Sequence, residues 1–305
     1  MRSDRPSFTS MAVAGMRAIY GELPAPLGAG PDPLATSVLP LPFLLPAQLV
    51  SLAHASPKAG TLLHRAFGAA SFGLTYHVAL RTRALDDALR DAVKAGTKQV
   101  VVLGAGLDGR AFRIPELEGV KVFEVDHPST QRDKKARLSK ARIEPIADVV
   151  FVPVDFERDK VDESLVEAGF SAGDRSFWIW EGVTAYLTRD AMTSTLRAIT
   201  RVSPPGSRVA LTYVRSPSKS ADPAQPIIRK VARVIVHAGS AVLGVMGEPV
   251  RGVIDSEAMA TLAQEAGFRL CSDESAADWA KRYWQGESPG PFEWERIAVL
   301  ERMTS

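Results

Sequence analysis

Three glycines with the spacing Gly104-x-Gly106-x-x-Gly109 follow an apolar run, KQVVVLG, that begins at Lys98. A glycine-rich turn after a buried strand lets the backbone approach a nucleotide closely, so this spacing indicates a candidate cofactor site. Ordinary tight turns use the same letters, so the pattern alone does not identify the cofactor. Pro115 comes six residues after Gly109. A proline so early is awkward for the long helix that a dinucleotide turn requires.

Acidic residues stand at the ends of the next three apolar runs. Asp126, with Glu124 two residues before it, could bind ribose hydroxyls. Asp155 could accept a hydrogen bond from an exocyclic adenine amine, with Phe156 packing near the base, and Glu181 ends the fourth run. This arrangement suits one adenosine better than two nucleotides. The alternative interpretations are a strand-end turn residue for Asp155 and a solvated strand end for Glu181.

Short apolar runs alternate with amphipathic helical patterns, which is typical of a parallel sheet covered by helices. Thr188 is a candidate N-cap for the helix that precedes the fifth run. The predicted strands are KQVVVLG (98–104), VKVFEVD (120–126), VVFVPVD (149–155), SFWIWEG (176–182), SRVALTYV (207–214), FRLCSDE (268–274) and WERIAVLER (294–302). The sequence therefore predicts an α/β fold with a doubly wound, seven-stranded sheet.

Two stretches fall outside this alternation: residues 1–80, which are Pro-rich and mixed in pattern, and residues 215–255, between the fifth and sixth strands. Open α/β sheets bind ligands at the carboxyl ends of their strands, so we predict that both stretches lie over that edge. We interpret them as an N-terminal helical cap and a lid insertion. The prediction is one domain over residues 1–305, with its Rossmann-like core at 81–214 and 256–305.

Composition excludes several classes of protein. A net charge of +2 over 305 residues offers no broad basic surface for nucleic acid, and the densest basic run, 132–142, is interpreted as a solvated helix face. The single cysteine, Cys271, cannot form an intrachain disulfide, and the five histidines lack zinc-ligand spacing, so we predict no metal site and a cytoplasmic protein. The apolar segment 38–53 is too short to span a bilayer and is interpreted as buried or cleft-lining.

Five pieces of the sequence match one family in order and in spacing. They are ALRTRALDDAL (79–89), VVLGAGLDGRAFRI (101–114), VFEVDHP (122–128), VPVDF (152–156) and WEGVTAYLT (180–188). Together they resemble the leucine carboxyl methyltransferase family, which includes many bacterial small-molecule methyltransferases. The resemblance covers roughly residues 75–215.

The resemblance implies a class I methyltransferase fold, with S-adenosyl-L-methionine as cofactor. It implies that Arg81 pairs with the methionine carboxylate, Asp126 holds the ribose, the Asp155-Phe156 pair frames the adenine, and Glu181 lies near the methionine amine. The implied cofactor-binding residues are Arg81, Gly104, Gly106, Asp126, Asp155, Phe156 and Glu181. A guanidinium also suits a carboxylate on chemical grounds, because it can donate two parallel hydrogen bonds.

Alternatives remain open for the charged residues of these motifs. Arg81 could instead be a surface residue of its helix, paired with Asp86 or Asp87. Three further residues suit either cofactor contact or an internal ion-pair network that supports the glycine turn: Asp108, Arg110 and Arg113.

The family pattern also bears on the methyl acceptor. It implies that Tyr186 orients the acceptor, with a packed aromatic as the alternative. A carboxylic acid is already ionised near neutral pH and needs no catalytic base, which favours a carboxylate acceptor. Protein-methylating members carry an arginine shortly after the adenine-site pair, whereas this chain has Glu157 followed by Arg158.

We therefore expect an O-methyltransferase that acts on the carboxylate of a small, hydrophobic, natural-product-like acceptor. Three alternatives remain: a protein C-terminal carboxyl methyltransferase, a noncatalytic cofactor-binding or interaction protein on the same fold, and a nicotinamide oxidoreductase.

Overall fold

The computed structural model describes residues 8–21, 32–39, 45–49, 62, 66, 68–71, 73–156, 158–215, 251–284 and 295–304. Most of the predicted lid, 216–250, therefore lies outside the described residues, as do much of the predicted cap and most of the apolar segment 38–53. The division into cap, core and lid stays a prediction.

Within the described residues, seven strands form one sheet in the order β3-β2-β1-β4-β5-β7-β6. Strands β1 to β5 are parallel, and β7 runs antiparallel between β5 and β6. Their bounds are β1 Gln99–Leu103, β2 Lys121–Asp126, β3 Asp148–Pro153, β4 Ser176–Trp180, β5 Arg208–Val214, β6 Phe268–Ser275 and β7 Glu295–Arg302. This confirms the prediction of a doubly wound, seven-stranded α/β sheet.

The helices lie between the strands and before them. Their bounds are α1 Phe8–Gly21, α2 Pro33–Val38, α3 Leu74–Lys94, α4 Arg110–Arg113, α5 Pro128–Ala141, α6 Val161–Glu167, α7 Arg189–Val202, α8 Ser256–Glu265 and α9 Ala276–Tyr283, with 3-10 turns at Pro115–Leu117 and Thr184–Tyr186. The predicted cap of α7 is present, because the Thr188 side chain accepts a hydrogen bond from the backbone N–H of Ala191.

Apolar side chains of the strands alternate between the two faces of the sheet, so the sheet separates two cores. On one face, Val100 and Val102 of β1 share a core with residues of α1, α2, α3 and α9. On the other face, Val101 and Leu103 share a core with residues of α6, α7 and α8. Helices on both faces explain why every residue of β1 and β4 is buried.

The helix after the glycine turn is short, as the position of Pro115 predicts. Helix α4 ends at Arg113, and the chain continues into the 3-10 turn that starts at Pro115. A dinucleotide-type long helix is therefore absent after this turn, which removes the main structural argument for a two-nucleotide ligand.

The described part of the predicted cap packs against the core, with α1 against α3 and α2 against α5. Ala14, Ala18 and Tyr20 of α1 are buried. Tyr20 also belongs to an aromatic cluster with Tyr76 and Trp284, in which the Tyr76 and Trp284 ring centroids are 5.0 Å apart. None of the helices searched in the described ranges is long and apolar enough to cross a membrane.

Candidate functional site

The glycine turn joins β1 to α4 at the carboxyl edge of the sheet. Gly104 and Gly106 have φ angles of +67° and +48°, a region that side chains disfavour. A β-carbon at Gly104 would stand 2.6 Å from Val183 Cγ2, and one at Gly106 would stand 3.1 Å from Ser10 Cβ. The positive φ angles therefore favour glycine at both positions. At Gly104 a β-carbon would also force the Val183 side chain to move, whereas at Gly106 the contact with Ser10 would only be tight.

Asp126 ends β2 beside this turn. Its carboxylate accepts hydrogen bonds from the backbone N–H groups of Gly106 and His127. Burial raises the pKa of Asp126 above its usual range, although these two hydrogen bonds oppose that rise. The structure thus places a carboxylate directly against the glycine turn, as a ribose-binding residue requires.

Glu124 does not join Asp126 at this edge. It is buried in an ion pair with Lys134 of α5, whose ammonium donates to Glu124 Oε2 at 2.6 Å and to the carbonyl oxygen of Asp108 at 2.8 Å. Burial raises the pKa of Glu124 to about 7, although Lys134 opposes the rise. The interpretation of 132–142 as a solvated helix face is therefore wrong at Lys134, because a buried carboxylate requires a charged partner there.

Asp155 and Phe156 follow β3 at the same edge. The carbonyl oxygen of Asp155 accepts hydrogen bonds from the backbone N–H groups of Arg158 and Asp159, so the chain turns at this point. The Phe156 side chain is exposed, with 46% of its surface accessible. An exposed aromatic ring beside a half-buried carboxylate is the pair of groups that an adenine site needs. Glu157 lies outside the described residues.

Arg81 of α3 is buried and forms ion pairs with two carboxylates. Its Nε donates to Glu181 Oε1 at 2.9 Å, and its Nη1 contacts both carboxylate oxygens of Glu295, at 3.0 and 2.8 Å. The alternative of a surface arginine paired with Asp86 or Asp87 is therefore wrong. The helix turns Arg81 inward, toward the carboxyl ends of β4 and β5.

Glu181 follows β4 and binds a second arginine. Its Oε2 accepts from Arg110 Nη2 at 2.8 Å, while its Oε1 accepts from Arg81. Burial alone would raise the pKa of Glu181, but Arg110 and Arg81 outweigh it and lower the pKa to about 2. Glu181 is thus a fixed, ionised carboxylate and not a solvated strand end.

The network continues under the glycine turn. Arg110 also binds Asp86 at 2.8 Å and contacts Asp108, and Arg113 binds Asp86 at 2.6 Å. The structure therefore brings Asp108, Arg110 and Arg113 together in the internal ion-pair network that the sequence left open. These contacts hold the turn to α3.

Residues of α1 and the segment after it also reach the turn, and sequence reasoning missed them. Arg17 of α1 donates to the carbonyl oxygen of Leu107 at 2.5 Å and pairs with Asp32 at 2.9 Å. Asp32 also caps α2 through the backbone N–H of Ala35. A helix start at Asp32, before Pro33, was visible in the sequence, but its contact with the turn depends on tertiary packing.

Glu295 and His77 were missed as well. His77 lies one helical turn before Arg81 on α3, and its Nε2 is 2.7 Å from Glu295 Oε2. Glu295 comes 114 positions after Glu181 in the chain, because it opens the last strand. Only the strand order reveals it, since antiparallel β7 begins at the edge where parallel β5 ends, with Glu295 opposite Val214.

Tyr186 lies on the 3-10 turn after β4 and is half-buried. Two contacts fix this turn: Thr184 Oγ1 donates to the carbonyl oxygen of Thr212, and the N–H groups of Arg251 and Gly252 donate to the carbonyl oxygen of Ala185. A β-carbon at Gly252 would stand 2.1 Å from the Thr184 carbonyl oxygen. The turn that carries Tyr186 is therefore held on both sides.

The seven predicted cofactor residues thus lie on α3 and at or after the carboxyl ends of β1 to β4. Their chemistry fits an adenosyl amino acid: carboxylates for ribose and amine, an aromatic ring for the base, and an arginine for a carboxylate. No group of three His, Cys, Asp or Glu side chains suited to a metal ion occurs in the part of the chain that the structure describes.

Comparison with known proteins gives a family match. The model of the family described as leucine carboxyl methyltransferase matches residues 11–200, well over half of the chain. This range contains all five motifs on which the resemblance was based, and it includes most of α1 as well.

Two curated relatives are similar to about half of the chain. A candidate S-adenosyl-L-methionine-dependent methyltransferase from Mycobacterium sp. (strain JLS) is 43% identical over 148 residues, which are 48% of this chain and 47% of the relative. One from Parafrankia sp. (strain EAN1pec) is 37% identical over 169 residues, 55% of this chain and 54% of the relative. The matched region thus spans about half the length of these relatives.

Solved structures show more distant likeness. Magnesium protoporphyrin IX methyltransferase from Synechocystis PCC 6803, with bound SAH, is 11% identical with a TM-score of 0.46, over 75% of this chain and 87% of that one. The mitomycin 7-O-methyltransferase is 16% identical with a TM-score of 0.44, over 84% of this chain and 60% of that one. The strand order described above, not these scores, defines the fold.

Proposed function

Since the chain belongs to the leucine carboxyl methyltransferase family, we propose that it is an S-adenosyl-L-methionine-dependent O-methyltransferase that acts on a small-molecule carboxylate. The observation that carries the proposal is that Asp126 binds Gly106 of the glycine turn, while Arg81 and Glu181 are joined to Arg110, which follows the turn. Asp155 follows β3, the next strand beyond β2 in the sheet. These groups match the charged and polar ends of a single adenosyl amino acid.

Different residues would bind the ribose, the adenine and the methionine part of the cofactor. Asp126 would bind the ribose, Asp155 and Phe156 the adenine, and Arg81 and Glu181 the charged methionine end. When bound, the cofactor supplies a methyl group on a positively charged sulfur, which an ionised oxygen can attack in line.

The ion-pair network beside the glycine turn fixes the position of Arg81 and Glu181 in the absence of ligand. Glu181 stays ionised because two arginines bind it, so it offers a fixed negative charge to an ammonium group. Positioning of this kind can account for roughly 7–11 kcal/mol of barrier reduction in well-oriented reactions. The protein therefore needs few groups that touch the reacting atoms.

A carboxylate acceptor fits a site of this kind. A carboxylic acid with a pKa of about 4 is ionised at neutral pH, so no side chain must remove a proton. Tyr186 is the residue that we assign to acceptor orientation, because its turn is fixed at the edge of the sheet beyond Glu181.

Two observations support a small acceptor over a protein terminus. Glu157 stands where protein-methylating members carry an arginine, and Arg158 comes next. In addition, α1 covers the glycine turn, with Ser10 close to Gly106 and Arg17 bound to Leu107. A large acceptor such as a protein terminus therefore has less room to approach the turn from the side of α1. The hydrophobic, natural-product-like character of the acceptor and the cytoplasmic location stay predictions from the sequence.

The test combines binding with turnover. Calorimetry should show that S-adenosylhomocysteine binds and that NADH and NADPH do not. The protein is then incubated with S-adenosyl-L-methionine and with separate sets of carboxylic acids, phenols and C-terminal peptides, and mass spectrometry detects products that have gained a methyl group. Base-labile products are esters, whereas base-stable products are ethers.

Each outcome separates the alternatives. Methyl esters of small acids support the proposal, and ethers alone would refute the carboxylate acceptor. Methylation confined to C-terminal peptides would favour the protein methyltransferase. Tight cofactor binding without turnover on acids, phenols or peptides would favour a noncatalytic protein, and binding of NADH or NADPH alone would favour an oxidoreductase.

A further inference from the structure

We infer that Glu295 is a positioning residue: it orients Arg81 for recognition of the carboxylate of the bound amino acid. The inference rests on the proposed function, because it assigns a role within the same cofactor site. Neither the sequence motifs nor the family match includes Glu295, since the match ends at residue 200.

Two carboxylates bind the Arg81 guanidinium through different nitrogens. Glu181 binds its Nε at 2.9 Å, and Glu295 binds its Nη1 through both oxygens, at 3.0 and 2.8 Å. A guanidinium is planar and donates its hydrogens in fixed directions. Two carboxylates on two different nitrogens therefore fix the plane, and with it the direction in which Nη2 donates.

Glu295 is itself held in place by a second residue of α3. His77 Nε2 lies 2.7 Å from Glu295 Oε2, and the His77 side chain is almost completely buried. His77 and Arg81 are four residues apart on α3, so both face the same side of the helix. Helix α3 thus binds Glu295 through two side chains, which fixes the start of β7 against it.

Glu295 and Arg81 form a buried pair of opposite charges. Only 15% of the Glu295 side chain and 7% of the Arg81 side chain are exposed. Burial alone would raise the pKa of Glu295, but Arg81 and His77 lower it below its usual range, so the carboxylate remains ionised. Without Glu295, Glu181 would be the one ion-pair partner left to Arg81 among the described residues, and the guanidinium could rotate about that contact.

A difference between two ligands tests this role. S-Adenosylhomocysteine carries the amino acid carboxylate, whereas 5′-methylthioadenosine keeps the adenosine and lacks the amino acid. For E295Q, we expect the affinity for S-adenosylhomocysteine to fall about tenfold or more, the effect of weakening one charge-assisted contact. The affinity for 5′-methylthioadenosine should stay at the wild-type value.

The matched control is E301Q. Glu301 lies on the same strand and is also a carboxylate with two basic partners, Arg208 and Arg269, but at the exposed end away from the site. Both ligands should bind E301Q as they bind the wild type. If E295Q does not fold, H77Q replaces it, because loss of the His77 contact should loosen Glu295 and lower only the affinity for S-adenosylhomocysteine.

The outcomes distinguish this inference from the proposed function. Equal loss of both ligands in a folded E295Q, or no loss of either, would overturn the role of Glu295 and leave the methyltransferase proposal intact. If the wild-type protein binds neither ligand, the proposed function fails, and the inference fails with it.

Discussion

Asp32 lies directly against Gly109: a β-carbon added to Gly109 would stand 2.5 Å from Asp32 Oδ1. The φ angle of Gly109 is −106°, so its backbone conformation alone does not require glycine. The third glycine of the motif is therefore needed for the approach of a distant segment. In this protein it makes room for the carboxylate that binds Arg17 and caps α2.

We predict that Gly109→Ala destabilises the protein by roughly 1–3 kcal/mol, the usual cost of overpacking a buried site. The added methyl group must displace Asp32, so the contacts of α1 and α2 with the turn should weaken. Urea unfolding measures the change. Gly173→Ala is the control, since the nearest atom to its new β-carbon is 4.0 Å away. Equal stability of both variants would contradict the packing argument.

Arg81→Ala should weaken binding of S-adenosylhomocysteine strongly, because the ligand carboxylate loses its charged partner. The buried carboxylates of Glu181 and Glu295 each lose one of their two partners as well. The related substitution Arg81→Lys keeps the charge but not the planar fork, so it should restore little of the affinity. Calorimetry gives both dissociation constants. Arg90→Ala, which removes a surface pair with Asp87 on the same helix, should bind normally. Unchanged affinity in Arg81→Ala would refute the assignment.

Asp155→Ala should cost roughly 1.5–3 kcal/mol of binding free energy, the value of a hydrogen bond to a charged group. The inosine analogue of S-adenosylhomocysteine lacks the exocyclic amine that Asp155 would accept from. The variant and the wild type should therefore bind this analogue equally. If Asp155→Ala loses the same affinity for both ligands, Asp155 would shape the loop after β3 and would not bind the adenine amine.

Acid should destabilise the protein through Glu181. Its folded-state pKa of about 2 lies below the ordinary value of 4.5, so its stabilising contribution is present above pH 4.5 and is lost as the pH falls toward 2. A pKa shift of this size corresponds to a contribution on the order of 3 kcal/mol to the free energy of unfolding. Glu181→Gln should have a shallower loss of stability between pH 4.5 and 2. The exposed Glu167→Gln should follow the wild-type curve; a wild-type slope in Glu181→Gln would contradict the prediction.

The strands could be predicted closely from the sequence because their apolar runs are local signals. The structure has β1 at Gln99–Leu103, where the sequence predicts a strand over 98–104, and β5 at Arg208–Val214, where it predicts one over 207–214. The stop signal at Pro115 was equally local, since a proline cannot extend a helix whatever surrounds it. Glu124 was harder, because its sequence position beside Asp126 suggested a shared site. A lysine ten residues away on α5 binds it instead.

The sequence by itself determined the α/β alternation, the glycine turn and the acidic residues that end β2, β3 and β4. Each of these depends on hydrophobic pattern and backbone conformation over a few neighbouring residues. Only the tertiary structure decided which charges meet: Arg81 with Glu181 and Glu295, and Arg17 with Asp32. Ion pairs are made by side chains that folding brings within a few ångströms, and a buried charge must find a partner wherever in the chain that partner lies.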